Sequence, residues 1–269
     1  MISILHIKFL FFLTTTTIIF LCIAAFGAGF VDAIVGGGGL IQTPAGLILL
    51  PNFPVATVVG SLKIPAFSGT CFAAFQYLKK VKIKWKLILL MMLIAFMAAV
   101  LGSTLLSKMH NNFMKPILLI VLSLVAFYTY SKKNFGTQQN KNHSPSTELM
   151  YGLGISCIIG FYDGFIGPGA GSFFVFAFIT IVGFDFLQAS AHAKMINLAT
   201  NLGSISFFVL KGVILWNVAI PMALCNAVGG FLGAKIAIKK GNQFIRIFFL
   251  IVVIGTLIRF AYDVLYVSR

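Results

Sequence analysis

Apolar runs, most of them near 20 residues long, follow one another along the chain and are separated by short loops rich in lysine. A helix rises about 1.5 Å per residue, so a run of that length matches a hydrocarbon core of about 30 Å and predicts a membrane-crossing helix. The pattern predicts ten apolar segments in two sets of five. The first set covers residues 4–31, 40–50, 55–78, 85–107 and 113–131; the second covers 149–165, 172–183, 187–210, 214–238 and 244–267. Only residues 136–148 (GTQQNKNHSPSTE) have loop composition. They divide the chain into a first half, 1–135, and a second half, 149–269. The expected fold is an all-α integral membrane protein built from two repeated halves of about five apolar helical segments each.

The halves are related in detail. Gly29, Phe30, Asp32, Gly36 and Gly38 are matched 131 positions later by Gly160, Phe161, Asp163, Gly167 and Gly169. At the same offset Phe53 matches Phe184, Lys63 matches Lys194, Trp85 matches Trp216, Gly102 matches Gly233 and Lys108 matches Lys239. Rare residue types agreeing at one offset carry the duplication, since apolar agreement alone means little here. The segments that follow the two motifs, 40–50 and 172–183, are short. About 11 residues reach roughly 16 Å, half of the hydrocarbon core, so each either crosses as a short helix or re-enters. Pro51 and Pro54 bound the first, Gly183 and Asp185 the second. Thr14 to Thr17 align with Pro145 to Glu148, so the first crossing can start near Ile18, with residues 1–13 as an addition. Lys8, an apolar stretch, Ala24 and Ala25 resemble a secretory signal. The second copy of that helix is internal, which argues against cleavage.

Composition agrees with a bilayer protein. The 269 residues are 59% hydrophobic and 9% charged, with a mean hydropathy of +1.03, against about 25% charged in soluble domains. The net charge of +15 raises nucleic-acid binding, but the basic residues sit mainly in loops between apolar runs, as positive-inside anchoring requires. Lys79, Lys80, Lys82, Lys84 and Lys86 form one cluster, Lys132, Lys133 and Lys141 a second, and Lys235, Lys239, Lys240 and Arg246 a third. If every segment crosses, these 12 of the 20 basic residues share one side, the cytoplasmic one. An odd number of crossings per half makes the halves inverted, with both termini outside. Cys22, Cys71, Cys157 and Cys225 have no CxxC spacing and read as small membrane-buried side chains rather than metal ligands or disulfides, with a redox role for Cys157, close to the second motif, as the alternative.

The candidate chemistry lies at the glycine motifs. Glycines let a chain leave helical geometry and expose N–H groups, and the helix that restarts offers its free donors and positive dipole end to an anion. Short, glycine-broken apolar segments at matching places in two halves point to a transport site. The substrate contacts expected here are Gly36, Gly37, Gly38, Gly39, Gly167, Gly169 and Gly171, with Thr43 and Ser172 in the restarting helices. The competing reading is close helix packing by small residues. Lys63 and Lys194 lie roughly 12 Å into their helices, where a lysine is a functional hypothesis by default. Each either binds the anion, pairs with Asp32 or Asp163, or snorkels to an interface. Ser190, Lys194, Asn197 and Asn201 share one helix face, which places Asn197 and Asn201 in the site. The equivalent first-half positions, Val59, Lys63, Ala66 and Thr70, are less polar, so the second half should supply more polar contacts. Asp32 and Asp163 either brace the glycine breaks by accepting from the freed N–H groups or couple transport to protons, with bracing the simpler role. His192 either relays a proton or packs. No catalytic, nucleotide, metal or cofactor motif is present, and the oligomeric state is left open, a homo-oligomer included.

At these residues the chain resembles the sulfite exporter TauE/SafE family of membrane transporters. The resemblance rests on Gly29–Gly39 followed by Leu40-Ile41-Gln42-Thr43-Pro44, on Asn52-Phe53-Pro54-Val55-Ala56-Thr57, on the basic loop before Trp85, and on GFYDGFIGPGAGSF (160–173) and ASAHAKMINLATNLGS (189–204). It covers nearly the whole chain. It implies a plasma-membrane transporter of sulfur-containing anions such as sulfite or organosulfonates. Within the family the glycine motif is shared, whereas Asp32, Asp163 and Lys194 are subgroup features, so the substrate can differ from sulfite. The expected function is secondary transport of a small anion by alternating access, with proton coupling as one option. A passive channel or exchanger, and a membrane assembly or sensor component without transport, are the rivals.

Overall fold

The computed structural model describes residues 15–109 and 144–262, and among these all regular structure is helical. Residues 1–13, the segment 113–131 and most of the 136–148 link lie outside the described residues.

Helix α1 (Thr15–Val35) ends at Gly36, and α2 (Gly39–Leu49) ends before Pro51. Pro54, in extended geometry at φ −54° and ψ 143°, starts α3 (Val55–Leu78), as expected of a residue that cannot donate to a preceding turn. Helix α4 (Trp85–Lys108) follows the lysine-rich loop. In the second half, α5 (Pro145–Phe165) is followed by α6 (Ala170–Ala177), a π-helical turn (Phe178–Val182), α7 (Phe186–Leu210) and α8 (Trp216–Tyr262). Gly241, at φ 71° and ψ −167°, breaks α8. Helices α2 and α6, α3 and α7, and α4 and α8 begin 131 residues apart.

Two boundaries differ from expectation. Helix α5 begins four residues before the predicted 149. Ser144 caps it by accepting from Thr147 N–H at 3.3 Å, and Pro145 takes the first helical position. Capping residues have the composition of a loop, which is why the sequence pattern assigns this turn to the link. The segments 214–238 and 244–267 are not separated by a loop within the described residues, only by the kink at Gly241.

Among the described residues, five helices are long and apolar enough to cross a membrane: Thr15–Val35, Val55–Leu78, Trp85–Lys108, Phe186–Leu210 and Trp216–Ile245. Gly39–Leu49 and Ala170–Val182 are apolar but shorter. Ile23, Phe75, Leu93, Leu101 and Leu224 are exposed on the outside of the bundle. That surface would be a liability in water and suits lipid.

The strongest packing crosses between the halves. Helix α1 lies mainly on α8, and its counterpart α5 lies mainly on α4; α3 lies on α8 as α7 lies on α4. Small residues permit this. A Cβ on Gly233 of α8 would strike Phe30 O of α1, and a Cβ on Gly102 of α4 would strike Phe161 O of α5, which is the same contact 131 residues apart. One apolar cluster gathers Val81, Ile88, Val182, Phe186 and Ile245, from the α3–α4 loop, the π turn, the start of α7 and the far part of α8. Lys84 bridges to Glu148 at 2.7 Å, and Leu187 N–H donates to Asn242 Oδ1 at 3.0 Å, in the same region. Another cluster gathers Leu21, Leu50, Val58 and Val218, with Phe53 and Leu215 packed on it, from the starts of α1, α3 and α8 and the end of α2.

Candidate functional site

The two glycine breaks meet inside the bundle. Gly36 N–H closes α1 on Asp32 O at 2.7 Å, and the chain then leaves the helix at a Gly36 φ of +79°, in the left-handed region that favours glycine. A side chain at Gly36 is excluded twice, because its Cβ would also run into the Gly171 backbone. Across this approach Ser172 donates its backbone N–H to Gly36 O at 3.0 Å and its hydroxyl to Val35 O at 2.8 Å. Each break therefore sits against the other, which is the setting that irregular backbone needs at membrane depth.

The first turns of α2 and α6 offer fewer free donors than expected. The N–H groups of Leu40, Ile41 and Gln42 go to Gly37 O or Gly38 O, and those of Ala170, Ser172 and Phe173 go to Gly167 O, Gly36 O and Gly169 O. Tight turns and the contact between the breaks use these donors internally. Among the described residues, the N–H groups of Gly39 and Gly171 have no such bond.

Lys63 and Lys194 occupy the same register, eight residues after the first residue of α3 and α7 (63 − 55 = 194 − 186 = 8). Each reaches the carboxylate turn of the opposite half. Lys63 Nζ donates to Asp163 O at 2.5 Å and to Asp163 Oδ1 at 2.9 Å. Lys194 Nζ donates to Asp32 Oδ2 at 2.7 Å and also to Asp32 O. Two crossed bridges result, each the image of the other at the 131-residue offset. Both lysines lie against the last turn of a helix, where carbonyl groups lack partners and the dipole favours a cation. Neither carboxylate accepts from a glycine-loop N–H among the described residues; the aspartates are held by lysine and threonine instead.

Between the breaks lies a cavity of about 50 Å³, enough for roughly four waters at about 10–15 Å³ each. Asp32, Gly36, Gly39, Gln42, Thr43, Lys63, Thr70, Asp163, Gly167, Gly169, Gly171, Asn197 and Asn201 line it, with Val59, Leu62, Ala66 and Ile166 as its apolar wall. Asn201 donates to Asn197 Oδ1 at 2.5 Å, so these two amides act as a unit. Gly167, at φ +90°, lets Lys63 approach: a Cβ there would stand 3.1 Å from Nζ.

Five of the expected residues sit off this wall. Gly37 and Gly38 are buried behind it, where a Cβ on Gly38 would stand 2.6 Å from Asp32 Cβ. Ser172 ties the breaks together. Lys194 reaches the cavity through Asp32. His192 packs elsewhere, its ring 4.6 Å from that of Phe184 and its Nδ1 2.8 Å from Gln188 O.

Three residues join the site unannounced. Gln42 Nε2 donates to Leu62 O at 2.7 Å, and its Oε1 accepts from Asn226 Nδ2 at 2.8 Å. Thr200 donates its hydroxyl to Asp163 Oδ2. The available signals were a glutamine directly after the glycine run, an amide inside an apolar run, and a threonine three residues after Asn197 on the polar face.

The family model described as Sulfite exporter TauE/SafE matches residues 21–260. A "Probable membrane transporter protein" of a Sinorhizobium species is 37% identical over 244 residues, which is 91% of this chain and 92% of the relative. One of Haemophilus influenzae is 36% identical over 221 residues, 82% of this chain and 85% of the relative. The "Probable membrane transporter protein YfcA" of Escherichia coli is 30% identical over 223 residues, covering 81% and 80%. No solved structure matches the chain with significance.

Proposed function

The chain belongs to the sulfite exporter TauE/SafE family of membrane transporters, and from that premise we propose that it moves a small sulfur-containing anion, sulfite or an organosulfonate, across the plasma membrane by alternating access. The observation that carries this reading is the pair of crossed Lys–Asp bridges flanking a polar cavity between the two glycine breaks. The four charged groups sum to zero. An anion entering the cavity meets the Lys63 ammonium, the Asn197 and Asn201 amides, and the Thr43 and Thr70 hydroxyls. To take a lysine it must replace a carboxylate, and an uncompensated carboxylate at this depth costs several kcal/mol. Each bridge also joins one half of the chain to the other. Exchange of a carboxylate for a substrate oxygen therefore changes what holds the halves together, and that is the differential contact a two-state transporter needs.

The same reading takes the halves as inverted. Helix α1 starts beside the end of α2 and the start of α3, in the cluster of Leu21, Leu50 and Val58. Helix α5 starts beside Lys84, at the end of the bundle where α3 finishes and α7 begins. Starts at opposite ends support antiparallel insertion, with the lysine-rich loops cytoplasmic and the termini outside.

Counterflow in proteoliposomes tests the proposal, using labelled sulfite, a panel of organosulfonates, and carboxylates and halides as controls. Trans-stimulated exchange of sulfur anions is expected. Flux without trans-stimulation would favour a channel, and no flux of any anion would sink transport of this class.

A further inference from the structure

The two bridges are equivalent by repeat and unequal in detail, and the inequality falls on the carboxylates. Asp163 has both carboxylate oxygens engaged: Oδ1 accepts from Lys63 at 2.9 Å, and Oδ2 accepts from the Thr200 hydroxyl. Its side chain is 5% exposed. Asp32 takes Lys194 on Oδ2 at 2.7 Å, while Thr70 stands on that same oxygen only at 3.5 Å. Among the described residues Asp32 Oδ1 has no partner, and the side chain, on the cavity wall, is 18% exposed. The sequence explains the difference. The first-half counterpart of Thr200 is Gly69, which carries no hydroxyl, and the space where its side chain would stand is filled by Asn226.

From this asymmetry we propose that Asp32 is the residue that takes up and releases a proton during the cycle, and that Asp163 is a positioning residue that stays ionised and holds Lys63 at the cavity. The proposal rests on the transport reading above. A proton from cavity water adds to Asp32 Oδ1 without displacing an existing hydrogen bond, turning the carboxylate into a neutral acid. Lys194 then keeps its charge and loses its counter-charge, and a substrate oxygen replaces it. Release of the anion on the other side restores the bridge and returns the proton to water. No electron moves and no covalent bond to substrate forms. A proton on Asp163 Oδ2 would require Thr200 to turn its hydroxyl to Asn197 O, 3.0 Å away, and to accept from the acid instead. Other groups near Asp32 do not substitute for this arrangement. Helices α2 and α6 contain no charged residue. The lysines of α8, Lys235, Lys239 and Lys240, are exposed. On α3, Tyr77 donates its hydroxyl to Ala33 O at 2.9 Å, and Lys63 is held by Asp163. On α7 only Lys194 pairs with it.

Proteoliposomes loaded with a pH-sensitive dye, with labelled sulfite or whichever panel anion the wild type exchanges added on the outside only, read net proton and anion uptake together. Wild type should move protons with the anion. Asp32→Asn should abolish the proton signal while labelled exchange continues at a reduced rate. Asp163→Asn should lower exchange and leave the ratio of protons to anions at the wild-type value. Proton movement that persists in Asp32→Asn overturns the proposal, as does net anion uptake by the wild type without protons; the latter leaves the transport reading intact. Absence of exchange in the wild type with every anion removes both. A measurement on unmodified protein guards against misfolded variants. Dicyclohexylcarbodiimide adds to a protonated carboxyl and leaves a stable N-acylurea with no leaving group, which mass spectrometry locates. The adduct should form on Asp32 and increase as the pH is lowered. Labelling of Asp163 in its place, or of neither aspartate, overturns the assignment.

Discussion

A lysine eight residues into an apolar helix needs a partner, and in this molecule each of the two takes an aspartate from the other half. On the proposed transport reading, binding and pairing are successive states of one ammonium. Removing one member of a buried pair leaves the other uncompensated, at about 3–5 kcal/mol. Lys63→Met should therefore lower thermal stability strongly in detergent, and Lys63→Met with Asp163→Asn should regain most of it, while neither variant transports. If the double variant is no more stable than the single, the pair is not the reason for the loss. At Lys194 the expected order is a greater loss of anion binding than of folding in Lys194→Ala, read by thermal shift with and without sulfite. Equal loss of both would leave Lys194 a purely structural partner of Asp32.

The elements that matter most are the short ones. Helices α2 and α6 start where the chain has just left a longer helix, and the break before α2 lies against the first turn of α6 through Gly36, Gly171 and Ser172. A leucine at Gly38 would press on Ala28 and on the turn that carries Asp32; one at Gly169 would require a side chain at φ +81°. Both substitutions raise local hydropathy, so insertion should survive. Gly38→Leu and Gly169→Leu should each abolish counterflow at wild-type levels of membrane protein. Gly154 of α5 is the internal control: it is exposed, and a Cβ there meets nothing within 4 Å. Gly154→Ala should transport normally and stabilise by up to about 1 kcal/mol. Wild-type uptake in either leucine variant would remove the breaks from the mechanism.

At the scale of the whole molecule, the halves interlock. With α1 on α8 and α5 on α4, neither half packs chiefly on itself among the described residues. The described helices therefore form one interlocked body, and the crossed bridges follow from that exchange of helices. Its orientation is open to direct test by single cysteines in a background lacking the four native ones. Positions 82 and 242 should react with an impermeant maleimide from the cytoplasmic side, and positions 52 and 211 from the opposite side. Labelling of 82 and 211 from the same face would end the inverted arrangement.

Much of this architecture was legible along the chain. Apolar run length predicts crossings because the bilayer sets a length, and Pro54, Gly36 and Gly183 mark boundaries because their backbone constraints act locally. The 131-residue offset predicts which elements correspond, and the buried stripe from Ser190 to Asn201 follows from helical periodicity. The capped turn at Ser144–Glu148 was hidden because capping residues and loop residues are the same types. Tertiary structure alone decided the pairing. Two lysines and two aspartates of identical chemistry allow either pairing within a half or across halves, and nothing in their spacing distinguishes these. The choice depends on which helix faces meet, as do the bond from Thr200 to Asp163, the Gln42–Asn226 pair, and the packing of His192 away from the cavity. Sequence determined the inventory and the repeat; the fold determined that each charge is neutralised by the half it does not belong to.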